Sequence, residues 1–241
     1  MVSKPGLVGL AGALLTGIGD VLILGRPMSG ADFDRAARVA PAFVGPRDPW
    51  RSLWNGAVLS RRRVRLGGAV GLVGIGLQGF ALQSEAGLVH PELLQCAAAV
   101  SGSAFAVSGA LTHQACAAVI LAYQEALAAG ITSWGEAEPS LRPLTNLLAV
   151  SAVASLGALA VFSAAVTYGA RLRHDAGPSW QEVATPLPCV ALALVAARVL
   201  PAPLGGYARP ASMSIGLLTH FVVVAASGGP RLPCARGGAA P

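Results

Sequence analysis

An all-α bundle of transmembrane helices is the fold class this sequence predicts, and three observations carry the prediction. Of the 241 residues, 54% are hydrophobic and only 12% are charged, against about 25% charged in a soluble domain. The mean hydropathy is +0.62. The apolar residues also fall in blocks, most of them near the ~20 residues that cross a bilayer core as a helix. So few ionised side chains cannot solvate a surface of this size. That excludes an ordinary soluble enzyme, a disordered chain and a DNA-binding domain.

The first block, Gly6 to Leu24, comes after Lys4 in the manner of a signal peptide. No small-x-small cleavage site comes after Leu24, and Asp20 interrupts the run, so the segment is predicted to stay as the first span. Residues 25–65 are the one sizeable polar region. Ser29 and Asp32 suit the cap of a short helix, and Pro41, Pro46 and Pro49 break the backbone beyond it. From Trp50, apolar residues including Leu53, Trp54 and Val58 recur at helical spacing, with Arg51 among them and Arg61, Arg62 and Arg63 after them. Tryptophan and arginine on a short amphipathic helix suit the lipid interface, where the ring is half wet and the cation meets phosphate. A helix packed across the mouth of the bundle fits the same pattern.

The second span is expected over 66–83. Gly67, Gly71 and Gly74 share one of its faces, and Gly9, Ala13 and Gly17 form a similar ridge on the first. Small residues let membrane helices approach closely, so the two ridges are expected to pack against each other or a neighbour. Leu93 to Ala129 reads as one long helix of about 55 Å, spanning over 93–125. Its second half, with Thr112, His113, Gln114 and Gln124, is too polar to face lipid. A split at Ser108-Gly109 would turn six spans into seven. The remaining spans are predicted at 144–168, 186–200 and 211–227, the fifth opening on Pro186 and Pro188, which a first helical turn tolerates. Residues 1–227 then form a single membrane domain, and 228–241 a Gly/Pro/Ala-rich tail expected to be disordered.

Charge sets the orientation. The net charge is +6, and nine of the 17 Lys and Arg lie between Arg26 and Arg65. Facing anionic lipid head groups explains this run more simply than nucleic acid does. With six spans, eleven basic residues stand on that side against five (Lys4, Arg171, Arg173, Arg231 and Arg236) on the other. The first loop is therefore predicted to be cytoplasmic. Seven spans would give a 13 to 3 bias, so that alternative stays open. Cys96, Cys116, Cys189 and Cys234 have no spacing that suits zinc, and nothing in the sequence calls for a cofactor.

Ionisable groups inside a bilayer are expensive and mark function or pairing. Four stand in the predicted spans: Asp20, His113, Arg198 and His220. Their depths suggest that all four converge in the inner half of the bundle, with Asp20 and Arg198 as an ion pair. The cluster has three readings. One is a polar pocket for a small lipophilic ligand or a proton path, with Ala110, Gly109, Ala106 and Gly102 leaving room beside the imidazole of His113, and Ser108, Gln124 and Asn146 adding hydrogen bonds. A second is a metal site of Asp20, His113 and His220, activating water for hydrolysis. Membrane hydrolases of the alkaline ceramidase type use such a set, but their Ser-x-x-x-His and His-x-x-x-His spacings are absent. The third is structural, each histidine bonding a neighbouring carbonyl or hydroxyl.

The Gly19-Asp20 pair that ends the first span, the arginine-rich first loop and the histidine in a long third helix resemble multi-pass bacterial membrane families with no assigned activity. The resemblance implies a bacterial inner-membrane location and transfers no catalytic residue.

Overall fold

A computed structural model describes residues 3–24, 59–131, 134–173, 184–201, 204, 208 and 211–226. Among them six helices of any length occur, and no strand: α1 (Lys4–Leu24), α2 (Arg61–Ala86), α3 (Glu92–Ala128), α4 (Trp134–Arg173), α5 (Pro186–Val199) and α6 (Ser212–Ala226). The first four are long and apolar enough to cross a membrane. The expected interfacial helix with Trp50 and Trp54 and the terminal tail both lie outside the described residues.

Two starts come earlier than the hydropathy suggests. Arg61, Arg62 and Arg63 are the first turn of α2. Ser60 caps that turn, its hydroxyl oxygen accepting the Arg63 N–H at 3.3 Å. This side-chain cap satisfies one of the amides a helix start leaves open. Three cations at a helix N-terminus oppose the backbone dipole; one of them, Arg63, reaches across to donate to Val21 O of α1 at 3.2 Å. The start of α4, ten residues before the predicted Leu144, runs through Pro139 and Pro143. Prolines weaken a helix interior, and tertiary packing overrides them here. Ala137 and Leu141 are fully buried against Val119, Ile120 and Tyr123 of α3.

Helix α3 is a single rod through Ser108-Gly109, so the split required for seven spans does not occur there. It stops at Gly130, whose φ of 79° places it in the left-handed region glycine favours. Gly130 N–H bonds to Leu127 O and Ile131 N–H to Ala126 O, the double closure that ends many helices. The polar second half of α3 faces α2 rather than lipid. His113 and Gln114 donate to α2 carbonyls, Gly67 O at 3.1 Å and Gly68 O at 2.8 Å, and Gln124 donates to Leu59 O, just before α2, at 2.8 Å.

The helices form a closed ring in chain order, each packed on the next and α6 on α1. Contacts fix the directions. Gly12 meets Gln78 while Gly19 meets Gly67 and Gly71, and Gly6 meets Ala225 while Gly17 meets Ser214, so α1 is antiparallel to both α2 and α6. The expected glycine face of α2 packs on α1, where a Cβ at Gly74 would come within 2.5 Å of Thr16. The ridge of α1 that meets it is Gly12, Thr16 and Gly19. Gly9, Ala13 and Gly17, the ridge read from the sequence, serve α6 instead: Gly9 lies on the ring of Phe221, and Ala13 and Gly17 share a groove with Ser214 and Leu218.

The ring is apolar outside and polar within. Leu14, Val73, Phe80, Val107, Val153 and Val195 are among the large apolar side chains exposed outward, while Gln78, Ser108, His113, Ser155, Ser214 and His220 are buried. Inside, two apolar clusters, one around Ile120 and Leu141 and one around Phe105, Phe162 and Phe221, leave a cavity between them.

Candidate functional site

The cavity measures about 440 Å³ and all six helices line it. Its polar wall is built on Asp20 and His113. Asp20 Oδ1 lies 3.3 Å from His113 Nδ1, and Asp20 Oδ2 accepts the Ser214 hydroxyl at 2.7 Å. The His113 side chain is 5% exposed and that of Asp20 16%. His113 Nε2 donates to Gly67 O, so the other ring nitrogen, Nδ1, is the one that faces the Asp20 carboxyl. Each polar group thus has a protein partner, which offsets the cost of burying it in a low-dielectric bundle. The imidazole fits because Gly71 has no side chain: a Cβ there would fall on the ring.

Thr16 and Gln78 continue the polar wall. Gln78 Nε2 donates to Thr16 Oγ1 at 2.9 Å, and the Thr16 hydroxyl donates to Gly12 O at 3.0 Å. On the α4 side, Ser155 donates to Ser151 O and lies 3.1 Å from Ser108 Oγ, while Thr112 donates to Ser108 O. Ile75, Phe105, Leu148, Leu156, Leu194 and Leu217 supply the apolar wall.

The four ionisable residues of the predicted spans are not all brought together. Asp20 and His113 meet. His220 belongs to a second centre at the opposite end of α2, where its Nε2 lies 3.1 Å from Glu85 Oε2 and its Nδ1 donates to Ala184 O at 2.7 Å. Gly67 and Glu85 are about 27 Å apart along the helix. Arg198 sits exposed on α5, while Asp20 has His113 and Ser214 as its partners. The metal set of Asp20, His113 and His220 is separated because His220 sits with Glu85 at the other end of α2. Both nitrogens of each imidazole already face protein atoms, and among the described residues no group of three His, Cys, Asp or Glu side chains gathers to hold a metal.

The small residues before His113 divide their work. Gly109 lines the cavity, whereas Ala106 packs on Gly79 and Gly102 faces Leu82 and Phe162. Of the extra hydrogen-bonding residues expected, Ser108 bonds into the wall, Gln124 holds Leu59 at the far end of α3, and Asn146 is exposed. Sequence reasoning missed Thr16, Gln78, Ser214 and Glu85. Gln78 carried a signal: a lone amide within a glycine-rich span.

One comparison with known proteins is informative. The profile of a family described as "Family of unknown function (DUF6796)" matches residues 1–227. The chain belongs to this family. The match takes in all six helices and every residue of both histidine–carboxylate centres, so both lie within the family's common domain. No curated protein and no solved structure is detectably similar to the chain.

Proposed function

We propose that the chain is a six-span integral membrane protein of the bacterial inner membrane that binds or moves a small lipophilic or lipid-like molecule in the cavity inside its helix ring. The observation that carries this reading is the cavity itself. Its 440 Å³ falls within the ~300–1,000 Å³ usual for small-ligand sites, and a mostly apolar wall with a few convergent polar groups is the usual lining. The apolar outer surface supports a lipid environment, since so many exposed large side chains would be costly in water.

Helices α5 and α6 have 14 and 15 residues, short of a full crossing by length alone. Their place in the ring supports two further spans. Helix α6 runs beside α1 from Ala225 at Ser3 to Ser214 at Asp20, the depth of the whole first span. Reporter fusions at Arg47 and Ala176 test the topology: six spans put them on opposite sides, seven on the same side. The arginine-rich loop is then cytoplasmic, and the exposed Arg61 and Arg62 at the start of α2 face anionic head groups there.

Ala152 lines the cavity from α4, so Ala152→Phe should fill it. The expected result is loss of binding of a fluorescent lipophilic probe by the purified protein with the melting temperature kept or raised. Undiminished probe binding by a folded Ala152→Phe variant would sink the pocket reading.

A further inference from the structure

The hydrogen-bond inventory of the cavity wall selects the head group of its occupant. Each hydroxyl has one proton to give. Thr16 gives its proton to Gly12 O, Thr112 to Ser108 O and Ser214 to Asp20, while Ser155 has Ser151 O at 2.8 Å. Each of these protons has an acceptor within the wall, which leaves the four oxygens with lone pairs to offer. With the Thr16 proton on Gly12 O, its oxygen accepts from Gln78 Nε2, and Oε1 is the other end of the amide. Gln78 is 1% exposed, lines the cavity, and its Oε1 has no hydrogen-bond partner among the described residues. A buried carbonyl oxygen without a donor carries an uncompensated desolvation cost.

We infer that the occupant is an amphiphile whose polar end donates hydrogen bonds, an alcohol or an amine, with that end on Gln78 Oε1 and its chain along the leucine wall. An anion would meet the same lone pairs and the Asp20 carboxylate, and an ether or ester would leave Oε1 bare. The inference rests on the pocket reading above and adds the chemistry of the ligand.

The test uses two isomers of equal size, n-decanol and methyl nonyl ether, bound to the full-length protein in nanodiscs with each probe's bilayer concentration measured. The alcohol should bind about fivefold more tightly than the ether, the worth of one net hydrogen bond. Gln78→Leu should bring that ratio close to one, and bilayer partitioning cancels when the two ratios are compared. Equal binding of the isomers by the native protein overturns the donor inference and leaves the pocket reading standing. A ratio unchanged in Gln78→Leu also overturns it. Binding of neither isomer overturns both. If Gln78→Leu fails to fold, the native ratio alone decides.

Discussion

Replacing Asp20 with asparagine should destabilise the protein through His113 and not through Arg198. The amide can still hydrogen-bond Nδ1 but carries no charge, so a protonated His113 loses its counter-charge, and the Ser214 hydroxyl trades a carboxylate acceptor for a neutral one. Hydrogen bonds between membrane helices are worth ~0.6 kcal/mol on average and up to ~1.7 kcal/mol. The stranded imidazole argues for the upper end, about 1–2 kcal/mol, or roughly 3–6 °C in melting temperature for a chain of this size. His113→Gln alone should cost a similar amount. The double variant should lose clearly less than the sum, because removing both partners strands neither. Asp20→Asn with Arg198→Gln should show simple additivity. Thermal denaturation of these variants in one detergent decides this. Additivity with His113, or coupling to Arg198, would contradict the pairing.

Gly71→Ala is the smallest substitution with a large expected effect. The added methyl would occupy the position of the His113 ring, and Gly71 is also where the backbone of Gly19 comes closest, a Cβ on Gly19 meeting Gly71 Cα at 2.8 Å. Neither neighbour can yield cheaply: one is backbone, and the other is held at both nitrogens. Overpacking a tight site costs about 1–3 kcal/mol, and displacing His113 adds the loss of its bond to Asp20. In contrast, a Cβ at Gly76 meets nothing within 4 Å, so Gly76→Ala should be neutral or slightly stabilising from the better helix propensity of alanine. The cause can be isolated by repeating Gly71→Ala on a His113→Ala background, where the loss should shrink because the ring is gone. An equal loss on both backgrounds would place the strain in the α1–α2 backbone contact alone.

Much of this arrangement is legible in the sequence because it is periodic. The spacing of Gly67, Gly71 and Gly74 marks a close-packed face whatever lies opposite, and the long third helix is expected because Ser108-Gly109 is the only break between Leu93 and Ala129. Depth is legible as well, since counting 1.5 Å per residue from a helix end places Asp20 and His113 at comparable levels. Rotation about the helix axis and the order of neighbours are not. Asp20 and Arg198 match in depth, yet Asp20 turns to His113 and Ser214 and Arg198 is exposed on α5. The starts of α2 and α4 were hidden for another reason. Arginines at an N-terminus and prolines in the opening turns oppose local preference, and only the contacts of Arg63, Ala137 and Leu141 override it.

The ring also dictates an order of assembly. Five of its seams join helices that are consecutive along the chain, so each can form as soon as the later helix is made. The sixth seam joins the last helix to the first. Without α6, Gly9, Ala13 and Gly17 have no partner, Asp20 lacks the hydroxyl of Ser214, and the central chamber is open on one flank. The five-helix portion is thus a cup with a missing stave, and the final helix is the stave that shuts it.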